Sequence, residues 1–380
     1  MTTEPEGGRR VTGATVAREL GISPSTVSNA YNRPDQLSPA LRESILAAAD
    51  RLGYGGPDPL GRSLRRRHAG AIGVLFSERL SDAFADPAAT VFLEGLSAVA
   101  EEAGYGLLLV PAPADVDQPG DPLASVSVDG LVVYSMPKEH PLVEAALRRR
   151  LPVVTVDQPR LAELPFVGID DVGGARRAAE HLLDLGHRCF GVAALRLAVP
   201  ARDAAADVAR QAAATYAFSR TRLRGYAGAL GSAGVDWRTV PVEERAHNTI
   251  ASGRDAAMRL LAARPRPTAI LCMSDQLGVG VCEAARQAGL SVPGDLSVVG
   301  FDDSLSASVA GLTTVRQPLR EKGEIAGRML LGRLAGQEAA VRRRLRTELV
   351  IRQTSGPPRR RAALAKAANG RSRQSRFGRS

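Results

Sequence analysis

Polar side chains at the ends of apolar runs are the residues of this sequence best suited to bind a small molecule. Asp157 ends the run LPVVTVD, Asp302 ends LSVVGFD, and Asp275 follows Ser274 after TAILCM. Arg222 opens the segment RLRGY. Carboxylates and a guanidinium can form paired hydrogen bonds with the hydroxyl groups of a ligand. The alternative for each aspartate is that it caps the helix in the following turn.

The elements that must position these side chains are short apolar runs separated by amphipathic stretches, from residue 69 to residue 356. Runs such as AIGVLF and VDGLVVY are rich in Val, Leu and Ile, and stretches such as TVFLEGLSAVAEEAG lie between them. This alternation is typical of parallel sheets covered by helices on both faces, and so many strands require two doubly wound sheets. Ligands in such folds bind beyond the carboxyl ends of the strands, so we expect a site between two lobes.

The first part of the chain predicts three short helices within residues 11–56. Ser23-Pro24 and Ser38-Pro39 are helix starts, because each pairs a capping serine with a proline at the first helical position. Gly21 and Gly53 are stop signals, because glycine adopts the left-handed conformation that ends many helices. Small Ala17, Gly21 and buried Val27 have the spacing of a helix-turn-helix, which would present the start of its second helix to the major groove. A generic helical hairpin is the alternative for this spacing alone.

This region resembles the DNA-binding part of the lac repressor (LacI/GalR) family over about fifty residues without a gap. The segments VARELGISPSTVSNAYN and LGYGGPDPLGRSL match the family pattern in order and nearly in spacing. The resemblance implies that the second helix reads DNA. The implied base-reading positions are Pro24, Ser25 and Asn29, and those toward the phosphates are Ser23, Thr26, Ser28 and Asn32.

The chemistry of these side chains supports part of that assignment. Asn29 can bind adenine with two hydrogen bonds and Ser25 can pair weakly with either base partner, whereas Pro24 offers only apolar contact. The family usually has Arg where Asn29 stands, so the half-site need not be the family's commonest one. Ser23 has a second interpretation as the cap of its helix, and both roles are expected.

Residues 57–68 match the family's hinge. In the family this segment becomes a helix only on DNA and inserts a leucine into the minor groove, and that leucine corresponds to Leu64. Arg62 would neutralise a phosphate. Gly61 stands where the family often has Ala, which disfavours the helix by about 1 kcal/mol. A solvated linker is the alternative.

The longer part of the chain resembles the family's effector-binding core, which is similar to a periplasmic sugar-binding protein. The landmarks include VGIDDVGGARRAAEHLLDLGHR, LSVVGFDD and LTTVRQPLREKG. The resemblance places Asp157, Arg222 and Asp302 at effector-binding positions, with Ser274 or Asp275 nearby. Further candidates are Asn248, which stands where several relatives have an aromatic platform, and Phe84 and Asp86, which we expect at the cleft mouth.

Two segments depart from the family. Residues 195–221 form an Ala-rich stretch longer than the usual connection, interpreted as an extra surface helix near the cleft mouth.

Residues 357–380 hold eight basic and no acidic residues, and they lack the heptad pattern of a tetramerising helix. Residues 1–68 carry a net charge of +3, so residues 69–356 are almost neutral although the whole chain carries +10. We interpret the tail as a disordered basic extension that attracts DNA nonspecifically.

Other classes of protein find little support in the sequence. There is no phosphate-binding GxxxxGK[ST] loop, no GxSxG and no HExxH, and the three cysteines form no CxxC. We therefore expect no catalysis, no cofactor and no metal. No apolar stretch approaches the roughly 18 residues of a membrane span, and the N-terminus lacks the apolar core of an export signal. An exported solute-binding protein or an α/β enzyme with a fused DNA-binding head remains the alternative.

The sequence thus predicts an all-α helix-turn-helix headpiece joined to a two-lobed α/β core. The expected parts are a disordered start (1–10), the headpiece (11–56), the hinge (57–68), the effector-binding and dimerisation core (69–356) and the tail (357–380). We expect a cytoplasmic homodimer that binds a roughly palindromic operator in double-stranded DNA. A small-molecule effector, of which a carbohydrate is one candidate, would control this binding, and repression relieved by the effector is the default expectation.

Overall fold

The computed structural model describes residues 11–56, 68–111, 123–337 and 340–359. The chain divides into two compact units, residues 1–70 and 71–380. Each unit has its own hydrophobic core. The predicted hinge, except His68, and the tail beyond Arg359 lie outside the described residues.

The described residues of the first unit form three α-helices, as the sequence predicts: α1 (Gly13–Leu20), α2 (Pro24–Asn32) and α3 (Pro39–Leu52), with a 3₁₀ turn (Pro34–Gln36) between the last two. Gly21 ends α1 with φ = 66°, and Gly53 ends α3 with φ = 73°. The Ser23 hydroxyl accepts a hydrogen bond from the Thr26 amide, and Ser38 caps α3 in the same way. The predicted start and stop signals are therefore confirmed.

The core of this small unit lies where its three helices cross. It consists of the fully buried residues Val16, Ala17, Val27, Ala30, Ile45, Ala48 and Ala49. Small residues predominate on the faces in contact, which lets the helix axes approach closely. The α2 residues that precede and follow Val27 are left at the surface.

The described residues of the second unit form thirteen strands and ten α-helices. The strands are β1 (Ala71–Phe76), β2 (Gly106–Pro111), β3 (Gly130–Tyr134), β4 (Val153–Val156), β5 (Phe166–Ile169), β6 (Phe190–Leu195), β7 (Ala204–Ala205), β8 (Val242–Arg245), β9 (Ala269–Cys272), β10 (Ser297–Asp302), β11 (Thr313–Arg316), β12 (Arg342–Leu345) and β13 (Glu348–Val350). The helices are α4 (Leu80–Ala85), α5 (Pro87–Glu102), α6 (Pro141–Arg148), α7 (Asp171–Asp184), α8 (Val208–Ala212), α9 (Ala217–Ser232), α10 (Ile250–Ala262), α11 (Asp275–Gln287), α12 (Leu305–Ala310) and α13 (Leu319–Leu334).

These strands form two sheets, one in each lobe. The first lobe has the order β12-β5-β4-β3-β1-β2, with every strand parallel to its neighbours. The second lobe has the order β13-β11-β10-β9-β6-β8-β7. The predicted doubly wound architecture is confirmed. Its two outermost strands in the second lobe, β7 and β13, are antiparallel to their neighbours.

The chain passes between the two sheets three times. It crosses between β5 and α7, between β11 and α13, and between β12 and β13. The helix α13 therefore belongs to the first lobe, where it packs tightly on α5: a Cβ atom at Gly95 would collide with the Arg320 carbonyl group. Three neighbouring connections of this kind form a natural hinge for closing two lobes on a ligand.

Candidate functional site

A cavity of about 400 Å³ lies between the two lobes of the second unit. Its walls come from the carboxyl ends of β1, β3 and β4 in the first lobe and of β6, β8 and β10 in the second. This is the position expected for a ligand site in parallel α/β folds, and the volume falls within the usual range of roughly 300–1,000 Å³.

Asp157 lies in this cavity immediately after β4. Its Oδ2 atom accepts hydrogen bonds from the Lys322 Nζ at 2.8 Å and from the Ser135 hydroxyl at 3.1 Å. Its Oδ1 atom is buried and has no hydrogen-bond partner among the described residues. Both Asp157 and Ser135 have a positive φ, at 59° and 48°. Strained backbone of this kind concentrates at ligand-binding sites.

A chain of hydrogen bonds joins Lys322 to Asp302 across the cavity. Lys322 Nζ donates to Gln317 Oε1 at 3.1 Å, and Gln317 Nε2 donates to Asp302 Oδ1 at 2.6 Å. Lys322 belongs to the first lobe, Asp302 ends β10 in the second, and Gln317 lies in a connection between them. Burial raises the pKa of the Asp302 carboxyl well above its ordinary value, since nearby Asp275 adds to the effect and Arg222 only partly offsets it.

Arg222 is buried in α9 and forms an ion pair with Asp171, with 2.9 Å between Nε and Oδ1. Its Nη1 donates to the Met273 carbonyl group, and its guanidinium lies 3.6 Å from the centre of the Phe301 ring. A guanidinium held on three sides in this way has little freedom to turn. Burial raises the pKa of Asp171, against the opposing attraction of Arg222.

Two further contacts between ionisable side chains connect the lobes at the cavity. Glu78 of the first lobe pairs with Arg196 of the second at 2.6 Å, and the Arg196 guanidinium lies 4.9 Å from the centre of the Tyr216 ring. Asp82 lies 3.8 Å from His247. The first pair is mostly shielded from solvent, which strengthens its electrostatic attraction relative to an exposed pair. The cavity is thus bounded by charged groups from both sides.

Asn248 and Asp86 also line the cavity. The Asn248 Oδ1 atom accepts a hydrogen bond from the Ser274 hydroxyl at 2.5 Å. Asp86 caps α5 by accepting a hydrogen bond from the Ala88 amide at 2.9 Å. Withdrawal from water raises the pKa of the Asp86 carboxyl, and the hydrogen bond from the Ala88 amide partly offsets that rise.

Among the residues expected at the effector site, the structure brings Asp157, Arg222, Asn248 and Asp302 to the cavity, together with Asp86. It does not bring Asp275 there, because this carboxylate is buried behind the strand ends, where it accepts hydrogen bonds from the Ser304 amide and the Thr314 hydroxyl. Burial raises the pKa of Asp275 to about 6. Phe84 is 58% exposed and lines a separate groove beside Leu305.

The Ala-rich segment between residues 195 and 221 forms one wall of the cavity. It contains the edge strand β7 and the short helix α8, and Val199, Pro200 and Ala201 face the cavity. Arg210 fixes this wall: it binds both oxygens of buried Glu244 at 2.7–2.8 Å and also donates to the Pro200 carbonyl group. The segment therefore contributes more than the single surface helix that the sequence predicts.

Several residues that line the cavity were not identified from the sequence. Lys322 and Gln317 stand in the motif LTTVRQPLREKG, which the sequence identifies only as a family landmark. Tyr134 directly ends an apolar run, so the same strand-end signal that selects Asp157 could have found it. Glu78 and Arg196 carry no signal of their own, because only the folded chain brings them together.

The surface of α2 presents the residues expected to contact DNA. Ser23, Pro24 and Ser25 are exposed, and Thr26, Ser28, Asn29 and Asn32 are half-buried. The Ser23 hydroxyl lies 2.6 Å from that of Ser25, so these groups form a small network at the helix start. Asn32 donates to the Ser28 carbonyl group at 2.9 Å, whereas among the described residues the side-chain amide of Asn29 makes one long contact, of 3.5 Å, with Gln36. Arg62 and Leu64 lie outside the described residues.

Known proteins with similar sequences include a family of binding domains and a transcriptional regulator. Residues 179–355 match the family model of a periplasmic binding protein-like domain. An HTH-type transcriptional regulator of Mycolicibacterium smegmatis is 43% identical over 366 residues, which is 94% of this chain and 100% of that protein.

Solved structures are similar along nearly the whole chain as well. The complex of the transcriptional regulator CelR with cellobiose has a TM-score of 0.66 and 29% identity, and the match covers 91% of this chain and 100% of that one. The lac repressor dimer bound to operator and the anti-inducer ONPF has a TM-score of 0.71 and 25% identity, with 92% and 100% covered. Every helix in the described part of the chain is too short or too polar to span a membrane. A relative of such identity over this length establishes that the chain belongs to the LacI/GalR family of helix-turn-helix transcriptional regulators.

Proposed function

We propose that this regulator is a cytoplasmic homodimeric repressor that releases its operator when a small sugar binds between the core lobes. The observation that carries the sugar assignment is the buried Oδ1 atom of Asp157, which lines the cavity and lacks a hydrogen-bond partner among the described residues. A buried acceptor left without a donor costs roughly 1–3 kcal/mol, and a ligand hydroxyl would recover that cost.

The other cavity groups suit the same ligand. The carboxylate of Asp302 and the guanidinium of Arg222 can each bind two neighbouring hydroxyl groups. The rings of Phe76, Tyr134 and Tyr216 also line the cavity and can pack against the C–H face of a sugar. The structurally similar regulator CelR forms a complex with cellobiose, which is itself a sugar.

Control of DNA binding would follow from closure of the lobes. The hinge segment joins the chain to β1 in the first lobe, so a movement of that lobe would alter how two hinges meet in the minor groove. A ligand can shift this equilibrium only by its difference in affinity for the two states, commonly about 1–3 kcal/mol.

The dimer would form through the cores. Leu305 and Val309 on α12 are 81% and 83% exposed, which is unusual for large apolar side chains on one short helix. A two-fold axis through this surface would bring two reading heads to a roughly palindromic operator. Ser23, Pro24, Ser25, Thr26, Ser28, Asn29 and Asn32 would contact each half-site, together with Arg62 and Leu64 of the hinge.

The experiment that tests this proposal is selection of bound fragments from random DNA by the full-length protein, followed by a sugar screen for release of the best fragment. We expect a symmetric consensus and release by at least one sugar. Replacing Leu64 by Ala should weaken binding to that fragment far more than binding to bulk DNA. Equal losses on both DNAs would reject the minor-groove role of Leu64, and absence of any consensus would reject the proposal.

A further inference from the structure

A groove of about 260 Å³ lies on the first lobe between α13 and the edge strand β12, and it shares no lining residue with the interlobe cavity. Four of its lining residues recur along α13 at the spacing of one helix face, and they are Ile325, Arg328, Met329 and Arg333. They cover roughly 12 Å of the helix axis. Val341 and Arg343 approach the groove from the sheet edge. The groove is therefore a second surface feature, formed by one lobe alone.

The ionisable side chains that line this groove are cationic. Arg328, Arg333 and Arg343 line it, and no described carboxylate does so. The sequence has the same bias, because residues 325–346 contain six arginines and one acidic residue, Glu338. Residues 69–356 are almost neutral as a whole, so positive charge is concentrated at this edge of the first lobe. The groove would attract an anionic partner.

Two of these cations are available to a partner. Arg343 is exposed and forms no ion pair with any residue that the structure describes. Arg328 is also exposed and pairs at 2.7 Å with Glu324, four residues earlier on α13. An exposed pair on one helix is weak, so an incoming carboxylate can replace Glu324 at little cost.

Arginines on an edge strand can also serve to keep another strand from pairing with it. That role accounts for the neighbours of Arg343 in β12. Arg342 donates to the Leu161 carbonyl group at 2.6 Å, and Arg344 pairs with Asp170. It does not account for the arginines of α13, which lie on a helix and line the same groove as Arg343.

The floor of the groove is apolar. Pro165 is buried, Ile325 and Met329 are half-buried, and Val341 is 41% exposed. A large apolar side chain placed here would withdraw Val341 from water. Carboxylates on either side of that side chain would then meet the arginines. A buried apolar anchor surrounded by charged contacts is typical of protein–protein interfaces.

Other anionic partners fit this combination less well. Duplex DNA presents phosphates and sugars to the proteins that contact its backbone, so it would leave the apolar floor uncovered. A small anionic metabolite is usually enclosed over about 70–90% of its surface, whereas this groove is open along its length. A peptide segment supplies carboxylates and an apolar side chain together.

We propose that this groove docks a short segment of a partner protein in which one large apolar side chain is flanked by Asp or Glu. The apolar side chain packs on Ile325, Met329 and Val341. The flanking carboxylates pair with Arg343 and Arg328. The length of the groove corresponds to about four residues of extended chain. This proposal does not depend on the function proposed for the interlobe cavity.

The test begins with selection from a library of random peptides by the full-length protein. The consensus peptide is then synthesised and its affinity measured by fluorescence anisotropy. We expect a consensus with one large apolar residue between acidic residues, and an affinity that falls as salt is added. A consensus without acidic residues, or no consensus, would overturn the proposal.

A pair of charge reversals places the peptide on the groove. Arg343→Glu should weaken binding of the consensus peptide by about tenfold or more, because it puts like charges together. Arg224→Glu is the control, since Arg224 is exposed on α9 and has no ion pair within the described ranges. Both variants keep the basic residues of 357–380 and have the same net charge. Equal losses in the two would show general charge attraction and would overturn the docking site.

A second pair of variants tests the apolar floor. Val341→Ser should weaken the peptide by about fivefold, because less apolar surface is buried on binding. Val208→Ser is the control, since Val208 is 52% exposed in the other lobe. Thermal unfolding checks that all four variants fold. If Arg343→Glu instead weakened binding to bulk DNA by tenfold and left the peptide affinity unchanged, the surface would be a DNA contact and the proposal would be wrong.

Discussion

The two binding surfaces of this regulator use polar side chains in opposite ways. On α2 they are exposed or half-buried, and the side chain of Asn29 has one long contact, with Gln36, in the described part of the chain. In the interlobe cavity they are buried and joined to one another, as with Arg222 and Asp171. A surface that must read a partner keeps its donors and acceptors available, whereas a buried site must satisfy its charges even without a ligand.

Because of this difference, a substitution on α2 should change DNA binding without changing stability, whereas a substitution in the cavity should change both ligand binding and stability. Surface substitutions that leave no buried group unpaired usually change stability by no more than about 0.5 kcal/mol. Removing one partner of a buried ion pair costs roughly 3–5 kcal/mol. We therefore expect DNA-recognition variants to fold normally and cavity variants to combine a loss of binding with a loss of stability.

The largest effect is expected for Arg222→Ala. This change leaves Asp171 buried without its cation, so the free energy of unfolding of the core should fall by roughly 3–5 kcal/mol, measured by chemical denaturation. The matched control is Arg51→Ala in the headpiece, because Arg51 and Glu19 form an exposed pair at 3.2 Å. The free energy of unfolding of Arg51→Ala should fall by less than about 1 kcal/mol. Similar losses in the two variants would remove the contrast between the two regions.

The next effect is on DNA recognition by Asn29→Ala. If Asn29 reads a base, discrimination at one position of each half-site should fall by about 1–3 kcal/mol while stability stays within about 0.5 kcal/mol. Selection from random DNA gives the first quantity and thermal unfolding the second. Gln36→Ala is the control, since it removes the contact of Asn29 without removing Asn29. A consensus that survives Asn29→Ala unaltered would refute direct reading.

Ser23 is the exception that sharpens the comparison, because it belongs to the reading surface and also caps α2. Ser23→Ala should destabilise the headpiece by about 1 kcal/mol. Ser38→Ala removes the equivalent cap of α3, a residue with no proposed DNA contact, and should cost a similar amount. Only Ser23→Ala should also weaken DNA binding, because it alone would lose a hydrogen bond to a phosphate, and the salt dependence of the affinity should stay unchanged because a serine hydroxyl carries no charge. Equal DNA affinity of the two variants would leave Ser23 with its capping role alone.

The smallest effect concerns pH and is confined to the core, since residues 1–56 contain no histidine. Buried His187 binds Thr268, Ser297 and Gly356, and burial lowers the pKa of its imidazole. Its stabilisation should be complete above pH 6.5 and be lost as pH falls below that value, because the unfolded chain then binds more protons.

The measurement for His187 is the difference between the parent protein and His187→Gln. Asp275, whose pKa is raised to about 6, acts in the opposite direction, since its contribution is lost as pH rises. Subtracting the free energies of unfolding of the two proteins at each pH removes the contribution of Asp275, because both proteins contain it. A difference that does not change between about pH 7.5 and pH 5 would contradict the role of His187.

Local signals made most of the fold predictable. The Ser-Pro starts and glycine stops determine the three helices of the headpiece, because capping depends on neighbouring residues only. The apolar runs quoted from the sequence located the strands β1, β3, β4, β9 and β10 of the core. The strand β8 (Val242–Arg245) escaped this pattern, because its charged residues are buried in the folded chain, where Arg210 pairs with Glu244 and Arg245 pairs with Glu243.

The cavity was predictable only in part for a related reason. Strand ends indicated Asp157 and Asp302, because parallel strands bring their carboxyl ends to one edge. Lys322 lies on α13, which belongs to the first lobe although the strands before it in the chain, β6 to β11, belong to the second. No local sequence pattern indicates this crossing between the lobes. The same limit explains Asp275, which follows a strand end as Asp157 does but turns behind it to Ser304.

Control of operator affinity by a sugar is tested most directly by titrating the best selected DNA fragment, labelled for fluorescence anisotropy, with and without a sugar that binds the core. We predict a roughly 5- to 150-fold change in affinity for the parent protein, and a much smaller change for Asp157→Asn at the same sugar concentration. An affinity for the selected fragment that is the same with and without a sugar bound to the core would contradict this mechanism.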